Sequence, residues 1–222
     1  GSRKYSKNET IASFANLEPR VAVSYSLDDD QSIKASYNRM TQYLHLVSNT
    51  ASPTPLDIWT PSDDFQKPQL LDQWAIGYFR NFNEDKYSLE VELFYKEIKN
   101  RIDYIDGADL IANNNIEQVL LNGRARAYGM EVLLRKNTGD FSGWIAYTLS
   151  TAEQQTAGRT PEELGISNGD WYKSGYDKTH NISVVGSYVL NKKWTFGSIF
   201  SLQSGQATTF PTGYYEYQGI QV

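Results

Sequence analysis

Alternation of apolar and polar residues is sharpest in Tyr87-Ser88-Leu89-Glu90-Val91-Glu92-Leu93-Phe94-Tyr95-Lys96. Odd positions read Tyr, Leu, Val, Leu, Tyr, while Ser88, Glu90, Glu92 and Lys96 occupy even ones. A period of two predicts a strand with one apolar face, here bracketed by tyrosines. The pattern recurs in Tyr128, Met130, Val132 and Leu134 against Gly129, Glu131 and Arg135. Ile182, Val184, Tyr188 and Leu190 oppose Asn181, Ser183 and Ser187, and Val21, Val23, Tyr25 and Leu27 oppose Arg20, Ser24 and Ser26. Trp74, Ile76 and Tyr78 oppose Gln73, Ala75 and Gly77. Three further strands are predicted near Ser32 to Leu44, Ser142 to Gln154 and Trp194 to Gln206, and a start at Tyr215 reads as a ninth.

The connections fall into two alternating kinds. Asp28 to Gln31, Asn83 to Lys86, Asn137 to Asp140 and Asn191 to Lys193 are short polar turns. Leu46 to Pro68, Asp106 to Gly123, Gln155 to Lys178 and Ala207 to Tyr214 are long. A transmembrane β-barrel has this asymmetry, with tight turns on one side of the membrane and long loops on the other. Segments of ~10 residues suffice to cross the apolar layer when tilted, whereas a soluble strand averages ~5 or 6. The expected fold is therefore all-β, an antiparallel up-and-down transmembrane barrel, present in part as about eight to nine strands. Residues 1–222 read as part of one such domain. Within the loops, Thr160-Pro161-Glu162-Glu163 has the form of a capping box for a single helical turn. Ile116 to Leu121 fits either a coil of helix or an extended hairpin.

Composition sharpens this. Aromatic residues make up 14% of the 222, with 16 Tyr and 5 Trp, which suits rings seated at membrane–water interfaces. Mean hydropathy is −0.55, yet alternation conceals the apolar face of barrel strands from hydropathy windows. A net charge of −5 provides no basic footprint for nucleic acid. The absence of cysteine excludes disulfides and thiolate metal sites. No signal peptide opens the chain, and Gly1-Ser2 has the look of a cloning remnant.

Catalytic chemistry finds little purchase. Gly165-Ile166-Ser167-Asn168-Gly169 matches the nucleophile-elbow pattern with Asp177 and His180 nearby, but it lies in a loop where the elbow needs a strand feeding a helix. It reads as a turn, and no catalytic residue is assigned. His45 and His180 read as structural hydrogen-bonding groups. Asp103, Asp106 and Asp109 lack the ligand set of a calcium loop and read as a solvated acidic stretch; no metal or cofactor is expected.

Several stretches, taken in order, carry a family resemblance. They are Glu18-Pro19-Arg20-Val21-Ala22-Val23-Ser24-Tyr25, Lys34-Ala35-Ser36-Tyr37-Asn38-Arg39, Lys67-Pro68-Gln69 through Gln73, and Gly77-Tyr78-Phe79-Arg80-Asn81-Phe82. Arg126-Ala127-Tyr128-Gly129-Met130-Glu131, Trp144 to Ser150, and Asp177 with His180 continue the series. Together they resemble the mid-barrel strands of TonB-dependent outer-membrane receptors, in a form like those of Bacteroidota-like bacteria. The resemblance implies a roughly 22-stranded barrel with an internal plug, in the outer membrane of a Gram-negative bacterium. It implies energy from the TonB complex and import of a scarce ligand such as an iron chelate, cobalamin or a glycan. The plug domain and TonB box are not recognisable in these residues, so the chain reads as a fragment of a larger receptor. Its partners would be outer-membrane lipid, its own plug, the remaining strands, and in some receptors a surface lipoprotein. Asp177 and His180 would anchor the loop where it rejoins the barrel.

Ligand contact is expected in the external loops, at Trp59, Asp57, Asp63, Asp64, Trp171, Tyr172, Lys173, Tyr214 and Tyr215. Exposed rings beside polar groups suit sugar stacking or chelate capture; the same rings equally suit packing the loops together or an upper aromatic girdle. Glu90, Glu92, Glu131 and Arg135 would line the lumen and meet the plug. The competing reading is a soluble or surface-attached β-rich binding module, possibly for carbohydrate, in which Leu89, Val91 and Leu93 pack on a second sheet instead of facing lipid.

Overall fold

A computed structural model describes residues 2–4, 10–47, 58–105, 119–207, 216–217 and 220–221. Its main sheet is antiparallel and built from β3 (Arg20–Ser26), β4 (Gln31–Gln42), β7 (Gln69–Phe82), β8 (Tyr87–Tyr104), β9 (Leu120–Lys136), β10 (Phe141–Thr156), β12 (His180–Asn191) and β13 (Trp194–Gln203). Each pairs with its sequence neighbour in that order, as an up-and-down meander requires. The ninth strand is β11 (Tyr172–Lys173), which lies inside the long loop and pairs with β10. The expected strand from Tyr215 corresponds instead to a separate ribbon of β14 (Glu216–Tyr217) and β15 (Ile220–Gln221). Two more hairpins stand apart, β1 (Ser2–Lys4) with β2 (Thr10–Ser13) and β5 (Leu44–Val47) with β6 (Ile58–Pro61). Asp57, Asp106, Asp109, Tyr214 and Tyr215, residues 106–118 of the second long loop, with Ile116 to Gln118 among them, and residues 208–215 after Ala207 lie outside the described residues.

Register places the alternating apolar positions of the eight meander strands on one face, with Phe79, Phe94, Leu133, Trp144, Val185 and Ile199 as apolar residues of the other. One row joins Val21, Tyr37, Trp74, Tyr95 and Tyr128; another joins Tyr25, Ile33, Tyr78, Val91, Val132, Tyr147, Ile182 and Leu202. The row of large rings forms a girdle, with centroid separations of 5.5 Å for Tyr37–Trp74, 5.9 Å for Trp74–Tyr95 and 6.3 Å for Tyr95–Tyr128. Near the short turns further rings face the same way, with Phe82 stacked on Tyr87 of the next strand at 5.4 Å and Trp194 on Phe196 within β13 at 6.5 Å. Tyr87 and Tyr95 are eight residues apart, about 26 Å along the strand and roughly 20 Å at a tilt of about 40°. That span matches an apolar membrane band.

No second layer covers this face among the described residues. Val23, Ile76, Leu93, Ile145 and Phe200 are all more than a third exposed, and among the described residues the buried hydrophobic side chains are Ala12, Leu120, Leu121 and Ala125. A sandwich hides these positions between two sheets about 10 Å apart. Exposed apolar area of this extent calls for lipid. No described helix is long and apolar enough to cross a membrane.

The short turns are fixed by local chemistry. Asp28 accepts the Asp30 N–H at 2.9 Å, and Asn191 accepts those of Lys193 at 2.9 Å and Trp194 at 3.1 Å. Asn83, Glu84 and Asp85 share the left-handed conformation, φ 55° to 60°, which Asn and Asp tolerate best among residues with a side chain. Asn137 donates its side-chain amide to the Asp85 carbonyl at 3.1 Å, tying one turn to the next.

Close strand approach constrains Gly143, which pairs with Gly186. A Cβ there would run into the Val185 carbonyl oxygen and come within 2.9 Å of the Gly186 Cα. Gly143→Val is expected to cost about 1–3 kcal/mol, since backbone cannot move aside as a side-chain tip does. The measure is the fraction of the whole protein that runs as a folded, heat-modifiable species. Wild-type behaviour would mean that β10 and β12 can separate freely.

Candidate functional site

β8, β9 and β10 hold 18, 17 and 16 residues, well beyond the 9–11 that span a bilayer, so they project past the girdle at the long-loop end. There the outward face turns from apolar to charged. One register row reads Arg39, Asp72, Glu97, Arg126, Glu153, Lys173. Asp72, only 3% exposed, accepts Arg39 Nε at 2.7 Å, Arg39 Nη2 at 2.9 Å and the Tyr37 hydroxyl at 2.7 Å. Arg126 pairs with Glu153 at 2.7 Å and Lys173 with Asp177 at 2.8 Å.

On the opposite face, parity is reset by a bulge. Register shifts between Lys99 and Arg101, with Asn100 at φ 58° and its amide on the Pro68 carbonyl at 2.9 Å. The shift brings Asp103 to the same face as Leu121, Thr156 and Tyr172. The Tyr172 hydroxyl lies 3.0 Å from Asp103 Oδ2 and 3.2 Å from Thr156 Oγ1. Burial raises the Tyr172 phenol to about 12, and the Asp103 charge adds to that.

Each sequence-expected ligand residue can now be placed. Trp59 on β6 is 56% exposed. Asp64 is exposed, whereas Asp63 is 3% exposed and accepts the N–H groups of Phe65 at 2.9 Å and Gln66 at 2.7 Å, closing a turn. Trp171 is half-buried, with Arg126 4.1 Å and Arg124 5.1 Å from its ring. Tyr172 points to the other face, and Lys173 is engaged by Asp177 and by Thr179 at 3.2 Å. The structure thus separates Trp171 from Tyr172 rather than presenting them side by side. Sequence reasoning passed over Phe65, Leu164 and Tyr176, which stand 73%, 77% and 66% exposed on the loops. No periodicity marks such lone apolar residues.

Asp177 fastens its loop to the sheet by accepting the Ala152 N–H at 2.7 Å. Burial pushes its carboxyl upward, but the Lys173 ammonium, the Ala152 N–H and the Thr179 hydroxyl outweigh that and hold it below the usual range. His45 is buried in the β5–β6 hairpin with Nε2 2.8 Å from Ser62 Oγ, and burial lowers its pKa against the opposing pull of Asp63. His180 places Nδ1 2.9 Å from the Tyr147 hydroxyl. Ser167 lies in a single 3-10 turn, Ser167–Gly169, at φ 54°, with no helix following, so the elbow geometry is not formed. No group of three or more metal-ligating side chains gathers among the described residues.

Residues 157–169 enclose an open depression of about 430 Å³ between Arg159, Pro161, Leu164 and Asn168. The expected capping box does not form there. Glu163 closes a single turn with its N–H 3.2 Å from the Thr160 carbonyl, but its carboxylate accepts the Arg159 N–H at 2.8 Å and the Arg159 guanidinium. That partner holds the Glu163 pKa down to about 2. Because the folded value is depressed, the link is fully present above the ordinary carboxylate value near 4.5 and is lost as pH falls through about 2. Proteolysis by an acid-active protease is expected to spare this loop at pH 5 and cut it near pH 2, and Glu163→Gln should open it at both. Equal cutting of wild type and variant at pH 5 would refute the link.

The family model for the TonB-dependent receptor-like β-barrel matches residues 1–220. No curated protein matches the chain. Among solved structures, the fold is similar to the ferripyoverdine receptor of the Pseudomonas aeruginosa outer membrane bound to ferripyoverdine. The TM-score is 0.59 at 16% identity, covering 88% of this chain and 24% of that one. It is similar also to the alcaligin outer-membrane receptor FauA from Bordetella pertussis (0.53, 17%, 84% and 29%). The ferric-catecholate import receptor Fiu from Escherichia coli K12 gives 0.56 at 17% identity, covering 84% and 25%. The chain spans about a quarter of the length of these structures.

Proposed function

The chain belongs to the TonB-dependent receptor-like β-barrel family, and from that premise we propose that it forms one sector of a plugged outer-membrane transporter. The transporter binds a scarce nutrient at its external loops and imports it with energy relayed by the TonB complex. The observation that carries this reading is the single-layered sheet, apolar on one face between two aromatic rows and uncovered on both. Unpaired edges at β3 and β13 would be untenable in lipid, so the reading requires further strands to close the barrel. The soluble binding module lacks the second layer it needs among the described residues.

A ferric chelate is the ligand class we propose, because the similar structures named above are receptors for ferripyoverdine, alcaligin and ferric catecholates. Trp59 and Asp64, with Asp57, Tyr214 and Tyr215, are the proposed loop contacts. Asp63, Trp171, Tyr172 and Lys173 support them by fixing loop shape. Binding and gating need no covalent chemistry, and the family is one of transport receptors rather than enzymes. On the inner face, Glu92 lies directly across from Glu131, with Glu90 two residues away. Like charges so placed repel, so we assign these carboxylates and Arg135 to contact with a plug that carries cations. A surface lipoprotein over the loops is compatible with the exposed Phe65, Leu164 and Tyr176.

The test compares cells lacking the whole receptor with complemented cells, offering radiolabelled ferric chelates, cobalamin and oligosaccharides with and without an energised inner membrane. Energy-dependent uptake of a ferric chelate should vanish on deletion. Loss of cobalamin or oligosaccharide uptake instead would reassign the ligand class, and unchanged uptake of all three would remove the transport reading.

A further inference from the structure

The charged rows above the girdle do not neutralise themselves. In the second row past the girdle, Thr41, Leu70, Lys99, Arg124 and Gln155 are neighbours, so Lys99 and Arg124 stand directly across from each other with no acid in the row. Like charges so placed destabilise a strand pair. Both side chains are exposed, and neither makes an ion pair among the described residues. Arg124 is oriented by Gln155 Oε1 at 2.8 Å and by the Trp171 ring, and Gln155 is itself held by its amide on the Gly169 carbonyl at 2.7 Å. In the first row Glu97 faces Arg126, whose ion pair is with Glu153, and Lys99 acts on Asp72 only at a distance, Asp72 being bonded to Arg39.

Position identifies the missing counter-charge. Lys99 is four residues beyond Tyr95 on the same face, about 10 Å above the girdle for a strand tilted near 40°. That face is continuous with the apolar band, so the height is that of the outer-leaflet headgroups at the long-loop end. We propose that Lys99 and Arg124, flanked by Arg126 and Trp171, form a docking site for the phosphorylated headgroup of an outer-leaflet lipid. A phosphate oxygen fan between the two cations removes their repulsion, and the Arg124 guanidinium, held by Gln155 and Trp171, presents its remaining N–H donors to it. The site rests on the outer-membrane reading above and concerns the lipid-facing side, away from the imported ligand.

The experiment uses the full-length receptor extracted from outer membranes in mild detergent and washed. Bound lipid is counted by native mass spectrometry and phosphorus assay. Wild type is expected to retain phosphorylated lipid. Loss of lipid affinity should be roughly fivefold for Lys99→Gln or Arg124→Gln alone and roughly twenty-five-fold for both, at about one charge's worth of headgroup attraction each. Arg124→Lys should keep most of it. Lys34→Gln with Lys96→Gln, on the inner face, should change nothing. A boiled-against-unboiled gel confirms assembly of every variant; should the double variant fail to assemble, the two single variants decide. Wild-type lipid retention in an assembled variant lacking either cation overturns the site, as does retained phosphate that proves inorganic, or a lipid-free wild type. A wild type that is absent from the outer membrane would instead bring down the transporter reading itself.

Discussion

Val91→Arg should abolish most membrane assembly of the receptor. Val91 sits between Tyr78 and Val132 in register, near the middle of the band bounded by the Tyr95 and Tyr87 rows. A guanidinium on the lipid face at mid-depth costs about 2–4 kcal/mol, and the nearest interface lies four residues away in either direction, too far for comfortable snorkelling. On the opposite face the neighbouring Glu90 and Glu92 show what the other parity accepts, so Ala75→Arg, on that face of β7, makes the matched control. Heat-modifiable receptor in outer-membrane fractions is the readout. Normal assembly of Val91→Arg, or equal damage from both substitutions, would mean that the apolar face does not meet lipid.

The second large effect belongs to Asp72→Ala, expected to cost about 2–3 kcal/mol of folding stability. Three donors converge on this carboxylate, two from Arg39 and one from Tyr37, and it is almost fully buried. Removing it leaves the Tyr37 hydroxyl without its acceptor beside the girdle. The Arg39 side chain is 38% exposed and can recruit water, which caps the loss below that of a sealed ion pair. Asp72→Asn keeps the shape and should lose about half as much. Denaturant midpoints of the reconstituted receptor measure both. A midpoint shift no larger for Asp72→Ala than for an exposed strand substitution such as Ser24→Ala would show that the cluster is incidental.

Fold class was legible because the evidence for it is redundant: every membrane-crossing strand repeats the alternation, and every short turn carries Asn or Asp. Strand length was not. The ladder of β8 runs to Tyr104 and that of β9 starts at Leu120, whereas the apolar alternation stops near Tyr95 and Tyr128. Beyond the girdle the outward positions become Glu97, Lys99, Arg124 and Arg126, so hydrogen bonding continues after the hydropathy signal has ended. The same cause hid β11, two residues too short to show any period. Among candidate site residues, Trp171 and Tyr172 were grouped as adjacent aromatics. Adjacency in an extended segment places side chains on opposite faces, which sends one to Arg126 and the other to Asp103. Asp63 was read as a ligand group, and its turn-closing bonds depend on a burial that no linear pattern encodes.

The bulge at Asn100 makes the loop evolvable independently of the wall that carries it. Taking that one residue into the ladder opposite Gly123 would restore simple parity and swing Arg101 and Asp103 from the lumenal side to the outside, while every position from Tyr87 to Lys99 kept its partner. Substitutions that flatten or form the bulge at this point therefore exchange the chemistry that a lineage displays to the lumen for the chemistry it displays to its surroundings. Selection on ligand choice can act there without reopening the problem of crossing a membrane.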